Sequence, residues 1–428
     1  MKIYPANSIK GEVFLPGDKS ISHRTALIAS LAEGQSEIEG FASSKDCQST
    51  LHCLENLGVS IERQENKLLI NGVKNKTFSQ PTSVLDAGNS GSTMRMLSGI
   101  LAGQPFTSMI TGDQSLCRRP MKRIVTPLRQ MRANIDATNN DFPPLTITGG
   151  KLQAIKYDMP VASAQVKSCI LFAGLFAEGA TTIIEPAITR NHTELMLKEF
   201  GANIKTESSS ITISDSPLKA CHYQVPGDIS SAAFFIVAAT MLPNSELLLR
   251  SVGVNPTRRA IIDVLISLGA NIKFINPKLQ HGEEVSDLLV SSSNLVSNDQ
   301  NRVLQGDIIA NIIDEIPILS VLATQIEGGL TIRDAGELRV KETDRIRSVV
   351  DNLRLMGAEV EEYTDGLAIN GKQQLKGCSL DSAHDHRIAM SFAIAGLVAK
   401  GETEIINSEC VDISFPGFFT KLSSVTNS

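Results

Sequence analysis

Six stretches of the chain are apolar almost all the way round, and each runs into alternating apolar and polar residues. They read TALIASLAEGQSEIEGF, MRMLSGILAGQPFTSMITG, CILFAGLFAEGATTIIEP, AAFFIVAATMLPNSELLLRSV, ILSVLATQIEGGLTIRDAG and MSFAIAGLVAKGETEIINS. A helix with no polar face lies buried, and alternation marks a half-buried strand. The pattern therefore predicts six core helices, each followed by a strand. Gly34, Gly103, Gly179, Asn244, Gly328 and Gly401 stand at the closing positions, and both residue types tolerate the left-handed conformation that ends a helix. A second pattern interleaves, an amphipathic helix ending in a glycine turn before a strand: LENLGVSIE, LKEFGANIK, LISLGANIK and LRLMGAEVE. LRQMRANID is a degenerate copy with Arg132 in the glycine position, and FFTKLSSV starts a sixth copy. Each repeat thus reads as buried helix, strand, amphipathic helix, strand, turn, strand.

Repeats of this size are too large for a solenoid and suggest two domains of three units. LPGDKS (15–20) and VPGDIS (225–230) resemble each other and bracket three units, and Pro16-Gly17 and Pro226-Gly227 suit crossovers between domains. The expected organisation is a discontinuous domain of residues 1–16 and 227–428 and a continuous one of residues 17–226, with 291–301 a Ser/Asn-rich loop in the fifth unit. The length of 428 residues agrees with two or three domains. A net charge of −6, no Trp and only four Tyr argue against a nucleic-acid binder with stacking platforms. Seven cysteines with no C-x-x-C pair argue against a disulfide framework or a thiolate zinc site. MKIYPANSIKGEVF has no apolar h-region, and the longest apolar stretch, Ala232–Leu242, is too short for a membrane span. A cytoplasmic protein is expected.

The candidate chemistry stands just before each buried helix, in GDKSISHR (17–24), DAGNSGSTMR (86–95), VASAQVKS (161–168), PGDISS (226–231), IIDEIP (312–317) and HDHR (384–387). Ser, Asn and Asp cap helices everywhere, but capping does not account for Lys19, Arg24, Arg95, Lys167 and Arg387. Free N–H groups and the positive end of the helix dipole make anion sites. Three like-pointing helices per domain would aim these sites at a cleft between the domains, with the cations building a phosphate and carboxylate pocket. CRRPMKR adds Arg118, Arg119, Lys122 and Arg123, and RVKETDRIR adds Arg339, Lys341, Arg345 and Arg347 around Glu342 and Asp344. A solvated helix face is the usual reading of such a run, but only Lys341 and Asp344 would pair on it while Lys341 and Arg345 repel, which favours a ligand role for part of the run.

Taken together, LPGDKSISHRTALIASLAEG, GNSGSTMRML, RRPMKR, ASAQVKSCILFAGL, GDISSAAFF, DEIPILSVLAT, RVKETDRI, DHRIAMSFA and SFPGFF resemble the enolpyruvyl transferases, and within them the branch acting on shikimate 3-phosphate. The stretches follow the family's order over essentially the whole chain. The resemblance implies an α/β fold of the inverse two-domain type, with three repeats per domain, buried parallel helices covered by β-sheets and the active site in the interdomain cleft. It implies addition of the 5-hydroxyl of shikimate 3-phosphate to C2 of phosphoenolpyruvate, then loss of phosphate from a tetrahedral ketal, by a monomer with no metal or organic cofactor.

By motif position the resemblance makes Asp314 the base for the hydroxyl, Glu342 the proton shuttle at C3, and Lys19 a bridge between the substrates and an acid toward phosphate. His386 would hydrogen-bond within the site. Phosphoenolpyruvate would meet Lys19, Gly91, Arg119, Gln165, Arg345 and Arg387; shikimate 3-phosphate would meet Lys19, Ser20, Arg24, Ser163, Ala164, Gln165, Arg190, Asp314 and Lys341. A planar guanidinium fork suits carboxylate and phosphate, and a glycine at 91 permits close backbone approach. An N-cap role for Asp314, a salt-bridged surface role for Glu342 and a structural role for His386 are the plain alternatives.

The sequence also departs from the family pattern. Ala164 replaces a common Ser, and Ile413 stands where some members carry a Lys that Asp412 cannot replace. That combination is similar to a branch sometimes tolerant of glyphosate, but Gly91 lacks the methyl associated with strong tolerance, so the resemblance assigns no inhibitor sensitivity. The competing family member is the UDP-N-acetylglucosamine enolpyruvyl transferase, whose loop cysteine would fall at Gln114 rather than at Cys117. A non-catalytic anion-binding module on the same scaffold is a further alternative, as is an RNA phosphate-end enzyme.

Overall fold

The six apolar stretches form the helices Lys19–Leu31, Gly91–Leu101, Ala164–Gly174, Ile229–Met241, Ile316–Ala323 and His386–Val398 in a computed structural model that describes residues 1–427. Their apolar faces are covered on every side; each residue from Ile229 to Thr240 is buried. Five of them start on a side-chain cap. The oxygens of Asp18, Ser90, Ser163, Asp228 and Asp385 accept from the N–H groups of Ile21 (2.8 Å), Thr93 (3.1 Å), Val166 (3.4 Å), Ser230 (2.9 Å) and Arg387 (2.8 Å). In the fifth, Glu315 is the N-cap residue with no side-chain cap, and Pro317 occupies the first turn, where a missing N–H costs nothing.

The closing glycines and Asn244 do not stand at the helix ends themselves. Lys19–Leu31 and Ile229–Met241 end on extended residues, Ala32 and Leu242. Gly34, Gly179, Asn244, Gly328 and Gly401 do adopt positive φ, but beyond the helix ends, in the turns into the next strands. Gly103 does not; a Cβ there would lie 2.3 Å from the Phe176 ring, so it is glycine for want of space.

The amphipathic copies do close as the pattern predicts. After Lys45–Asn56, His192–Glu199, Ala260–Ser267 and Arg345–Leu355, the residues Gly58, Gly201, Gly269 and Gly357 sit at φ 84°, 87°, 97° and 84°. Each donates to the carbonyl three residues back, as Gly58 does to Glu55 at 2.9 Å, and the next residue reaches further back, as Val59 does to Leu54 at 3.0 Å. Exposed Arg132 makes the same two bonds at φ 68°. A side chain in that conformation is strained by about 1–2 kcal/mol, against glycine's extra chain entropy of about 0.5–1 kcal/mol. Arg132→Gly is therefore expected to stabilise the protein by about 0.5–1 kcal/mol, read as a higher urea midpoint at unchanged slope.

Inter-residue contacts divide the chain into a discontinuous unit, Met1–Pro16, Pro226–Leu279 and Glu284–Ser428, and a continuous one, Gly17–Val225 with Gln280–Glu283. The four residues 280–283 are the tip of a hairpin between strands Asn271–Gln280 and Glu283–Ser291. The continuous unit holds three four-stranded sheets of one topology. In each, a short strand pairs in parallel with the strand after a buried helix, and two antiparallel strands follow, as in His222–Gln224, Gln35–Glu39, Lys67–Asn71 and Ser60–Arg63. Gly91–Leu101 and Ala164–Gly174 approach so closely that a Cβ on Gly99 would lie 2.1 Å from the Cys169 carbonyl oxygen. The discontinuous unit has sheets of five, four and three strands, the largest pairing Ser8–Phe14 in parallel with Glu246–Gly253. Each unit encloses its own apolar core around its three helices. Among the described residues no helix is long and apolar enough to cross a membrane. Residues 292–302 form a loop between strands, as the Ser/Asn-rich segment suggested.

Candidate active site

In the continuous unit, the first turns of the three buried helices are hydrogen-bonded to one another. Arg95 Nη1 donates to Gln165 Oε1 at 2.7 Å, and Gln165 Nε2 to Ser92 Oγ at 2.8 Å, joining the second and third helices. Arg24 joins the first to the third: Nη2 donates to Ser168 Oγ (2.9 Å), Nη1 to the Ser20 carbonyl (2.9 Å) and Nε to Thr193 Oγ1 (2.7 Å). The first and second are joined through His23, whose Nδ1 lies 2.7 Å from Thr50 Oγ1, itself 2.7 Å from Thr93 Oγ1. Burial, then Lys19 and Arg24, push the His23 imidazole well below the usual histidine range, which suits a neutral ring in this scaffold.

Ends fixed in this way carry several cations. Lys19 Nζ lies 2.8 Å from Asp46 Oδ2. Arg119 donates from Nη2 to Asn89 Oδ1 (2.8 Å) and Ser115 Oγ (3.2 Å). A Cβ on Gly91 would meet Arg95 Nη1 at 2.8 Å and Arg119 Nη1 at 3.7 Å, so the bare backbone here lies between two guanidiniums. Ala164 opens the third helix, where a first-turn N–H has no helical acceptor. Burial, then repulsion from Arg190, lower Arg24 to about 10, against Glu194, Asp18 and Glu283. A cation held against its own desolvation and a second cation is a site that an anion relieves.

In the discontinuous unit, Arg345 is the hub. It is fully buried, with Nε 2.7 Å from Asp385 Oδ2, Nη2 2.5 Å from Glu342 Oε2 and Nη1 3.7 Å from Asp314 Oδ1. Burial alone would weaken its charge; Asp385, Glu342 and Asp314 outweigh burial and hold it above the usual arginine range. Arg387 flanks Asp314 from the other side, with Nη2 3.8 Å from Oδ2 and Nη1 donating to the Asp314 carbonyl at 2.8 Å. Asp314 thus presents a partly exposed carboxylate between two guanidiniums, in the turn before the fifth helix. Glu315 lies beneath it, with Arg258 Nη1 3.2 Å and Arg387 Nη1 3.7 Å from its Oε1. Lys341 Nζ pairs with Glu337 at 3.0 Å, and His386 is buried in the first turn of the sixth helix.

Several sequence expectations change. Lys167 adds nothing to an anion pocket: its side chain is 1% exposed, and Nζ lies 2.9 Å from Glu185 and 2.7 Å from Glu194. The run around Lys341 is not a helix face, because the helix starts only at Arg345. Asp344 caps it, accepting from Arg347 N–H at 3.0 Å, and also pairs with Arg339 rather than Lys341. Ser163 caps its helix, a role that leaves the ligand contact implied by the resemblance open to it. Asp314 is not the N-cap residue of its helix, and Glu342 is salt-bridged to a buried arginine rather than on the surface. The sequence reading missed Asp46, Thr193, Arg258, Glu315 and Asp385. Asp385 and Glu315 stood inside quoted motifs; Arg387 two residues on was a signal for Asp385, whereas IIDEIP holds no cation that could have pointed to Glu315.

The chain matches the family model for EPSP synthase (3-phosphoshikimate 1-carboxyvinyltransferase) over residues 3–422. It is 52% identical over 425 residues to the 3-phosphoshikimate 1-carboxyvinyltransferase of Solibacter usitatus, covering 99% of each chain. It is 50% identical over 426 residues to the protein of that name in Desulforamulus reducens, covering 99% of this chain and 98% of the other. A solved EPSP synthase structure from Acinetobacter baumannii superposes with a TM-score of 0.88 at 42% identity, covering 100% of this chain and 98% of that one.

Proposed function

The chain belongs to the EPSP synthase (3-phosphoshikimate 1-carboxyvinyltransferase) family, and from that premise we propose how its residues divide the work. It transfers the enolpyruvyl group of phosphoenolpyruvate to shikimate 3-phosphate, releasing phosphate, in the shikimate pathway to aromatic amino acids. The observation that carries the assignment of roles is the Asp314 carboxylate, 3.7 Å from the Arg345 guanidinium and 3.8 Å from that of Arg387. Asp314 takes the proton of the 5-hydroxyl as its oxygen bonds to C2 of phosphoenolpyruvate. Glu342 delivers a proton to C3, giving the tetrahedral ketal. The same Glu342 takes a C3 proton back as the C2–O bond to phosphate breaks, and Lys19 meets the charge on the departing group. The hydroxyl proton leaves, in net terms, on the phosphate. Positioned acid and base groups of this kind contribute about 10²–10⁴-fold.

Lys19, Arg119, Arg345 and Arg387, with Gln165 and the backbone at Gly91, hold phosphoenolpyruvate. Shikimate 3-phosphate is held by Lys19, Ser20, Arg24, Ser163, the backbone of Ala164, Gln165, Arg190, Asp314 and Lys341, and His386 hydrogen-bonds within the site. Preorganised cations stabilise charge as it develops on the leaving phosphate. On this reading the protein acts in the cytoplasm as a monomer on small molecules, without nucleic acid, membrane, metal or organic cofactor. Phosphate release from phosphoenolpyruvate should depend on added shikimate 3-phosphate and show no response to UDP-N-acetylglucosamine. Release that follows the sugar nucleotide instead would replace this reading with the sister activity.

A further inference from the structure

The helix His192–Glu199 supplies Thr193, the acceptor for Arg24 Nε, and starts two residues after Arg190. Its N-cap residue, Asn191, makes no side-chain capping bond. Its first turn is instead gripped from the side. His192 Nδ1 lies 2.6 Å from Glu283 Oε1, and both side chains are 2% exposed. Glu283 belongs to the hairpin tip, residues 280–283, that groups with the continuous unit although its strands pair in the other unit's sheet. A carboxylate only accepts, so the bond sets the imidazole proton on Nδ1. Nε2 is buried with no hydrogen-bond partner among the described residues, leaving the Glu283 bond to orient the ring.

Thr193, the next residue along the helix, makes the following contacts. Thr193 Oγ1 lies 2.6 Å from Ser168 Oγ, Ser168 donates to the Ala164 carbonyl at 2.6 Å, and Arg24 donates to both hydroxyls, at 2.7 Å and 2.9 Å. We propose that Glu283 and His192 are positioning residues for the shikimate 3-phosphate site, acting through Thr193 to hold Arg24 in its binding orientation. This rests on the assignment of Arg24 to that substrate. Glu283 is also among the carboxylates that favour the charged form of Arg24. Neither residue touches substrate in this scheme.

Steady-state kinetics and calorimetric titration of shikimate 3-phosphate on the full chain test the proposal. Glu283→Ala should raise the KM and Kd for shikimate 3-phosphate ~10-fold, about 1.4 kcal/mol, with kcat and the KM for phosphoenolpyruvate within about twofold. Glu283→Gln should restore most of the loss, because its amide oxygen accepts the same Nδ1 proton. Adding Glu283→Ala to Thr193→Val should cost no more than Thr193→Val alone. Equal changes in both KM values, unchanged KM values with a lower melting temperature, or additive losses in the double variant would each overturn the proposal. If Glu283→Ala does not fold, Glu283→Met fills the volume without an acceptor; failure of both to fold would make the pair a folding determinant and also overturn it. A wild-type protein that releases no phosphate with shikimate 3-phosphate would instead refute the functional reading itself.

Discussion

Replacing Asp314 by Asn is expected to lower kcat about 10²–10⁴-fold while leaving the protein folded. The side chain is 18% exposed and lies near two guanidiniums that keep other carboxylate partners, Asp385 and Glu342 for Arg345 and Glu315 for Arg387. Its volume hardly changes, so the variant removes a base and one negative charge. Because that charge competes with phosphoenolpyruvate for Arg345 and Arg387, the KM for phosphoenolpyruvate should stay level or fall as kcat drops. Rapid-quench measurement of a single turnover separates the chemical step from binding. A fall in melting temperature parallel to the fall in rate would point to a structural carboxylate and remove Asp314 from the mechanism.

Lys167→Met should have its large effect on stability instead. The lysine is enclosed with Glu185 and Glu194, whose side chains are 3% and 6% exposed. Removing one member of such a group leaves uncompensated buried charge, at a cost of about 3–5 kcal/mol. Thr189 N–H also donates to Glu185 at 3.2 Å, which tempers the loss but cannot neutralise two carboxylates. The expected result is a much lower urea midpoint, with near-normal KM values for the fraction that remains folded. A raised KM for shikimate 3-phosphate at an unchanged midpoint would restore Lys167 to the anion pocket that its place in the sequence suggested.

The contrast between Lys19 and Lys167 shows where sequence reading stops. Both stand in the first turns of buried helices, at Lys19–Leu31 and Ala164–Gly174. Lys19 remains partly exposed beside Asp46, whereas Lys167 is sealed between Glu185 and Glu194. Nothing within VASAQVKS separates these outcomes, because Glu185 and Glu194 arrive from later segments. The run RVKETDRIR hid its partners in a similar way. Its charges suggest a helix face, but the Asp344 side chain caps Arg347 N–H and postpones the helix to Arg345. Arg345 is then turned inward onto Asp385, forty residues further along the chain.

The elements and their repetition follow from local patterns along the chain. Helices without a polar face must be buried, and an amphipathic helix followed by glycine closes in a left-handed turn. These are local consequences of solvation and backbone sterics, so even Arg132 kept the geometry of the glycine it replaces. The sequence also carried the helix-start motifs, since a capping side chain acts on N–H groups two or three residues away. Folding alone sets the polar pairings: Arg24 with Thr193 and Ser168, Arg345 with three carboxylates, and His192 with Glu283, 91 residues further along the chain. Electrostatic energy depends on distance and burial rather than on separation along the chain, so a charged residue's partner can be seen only once the chain has folded.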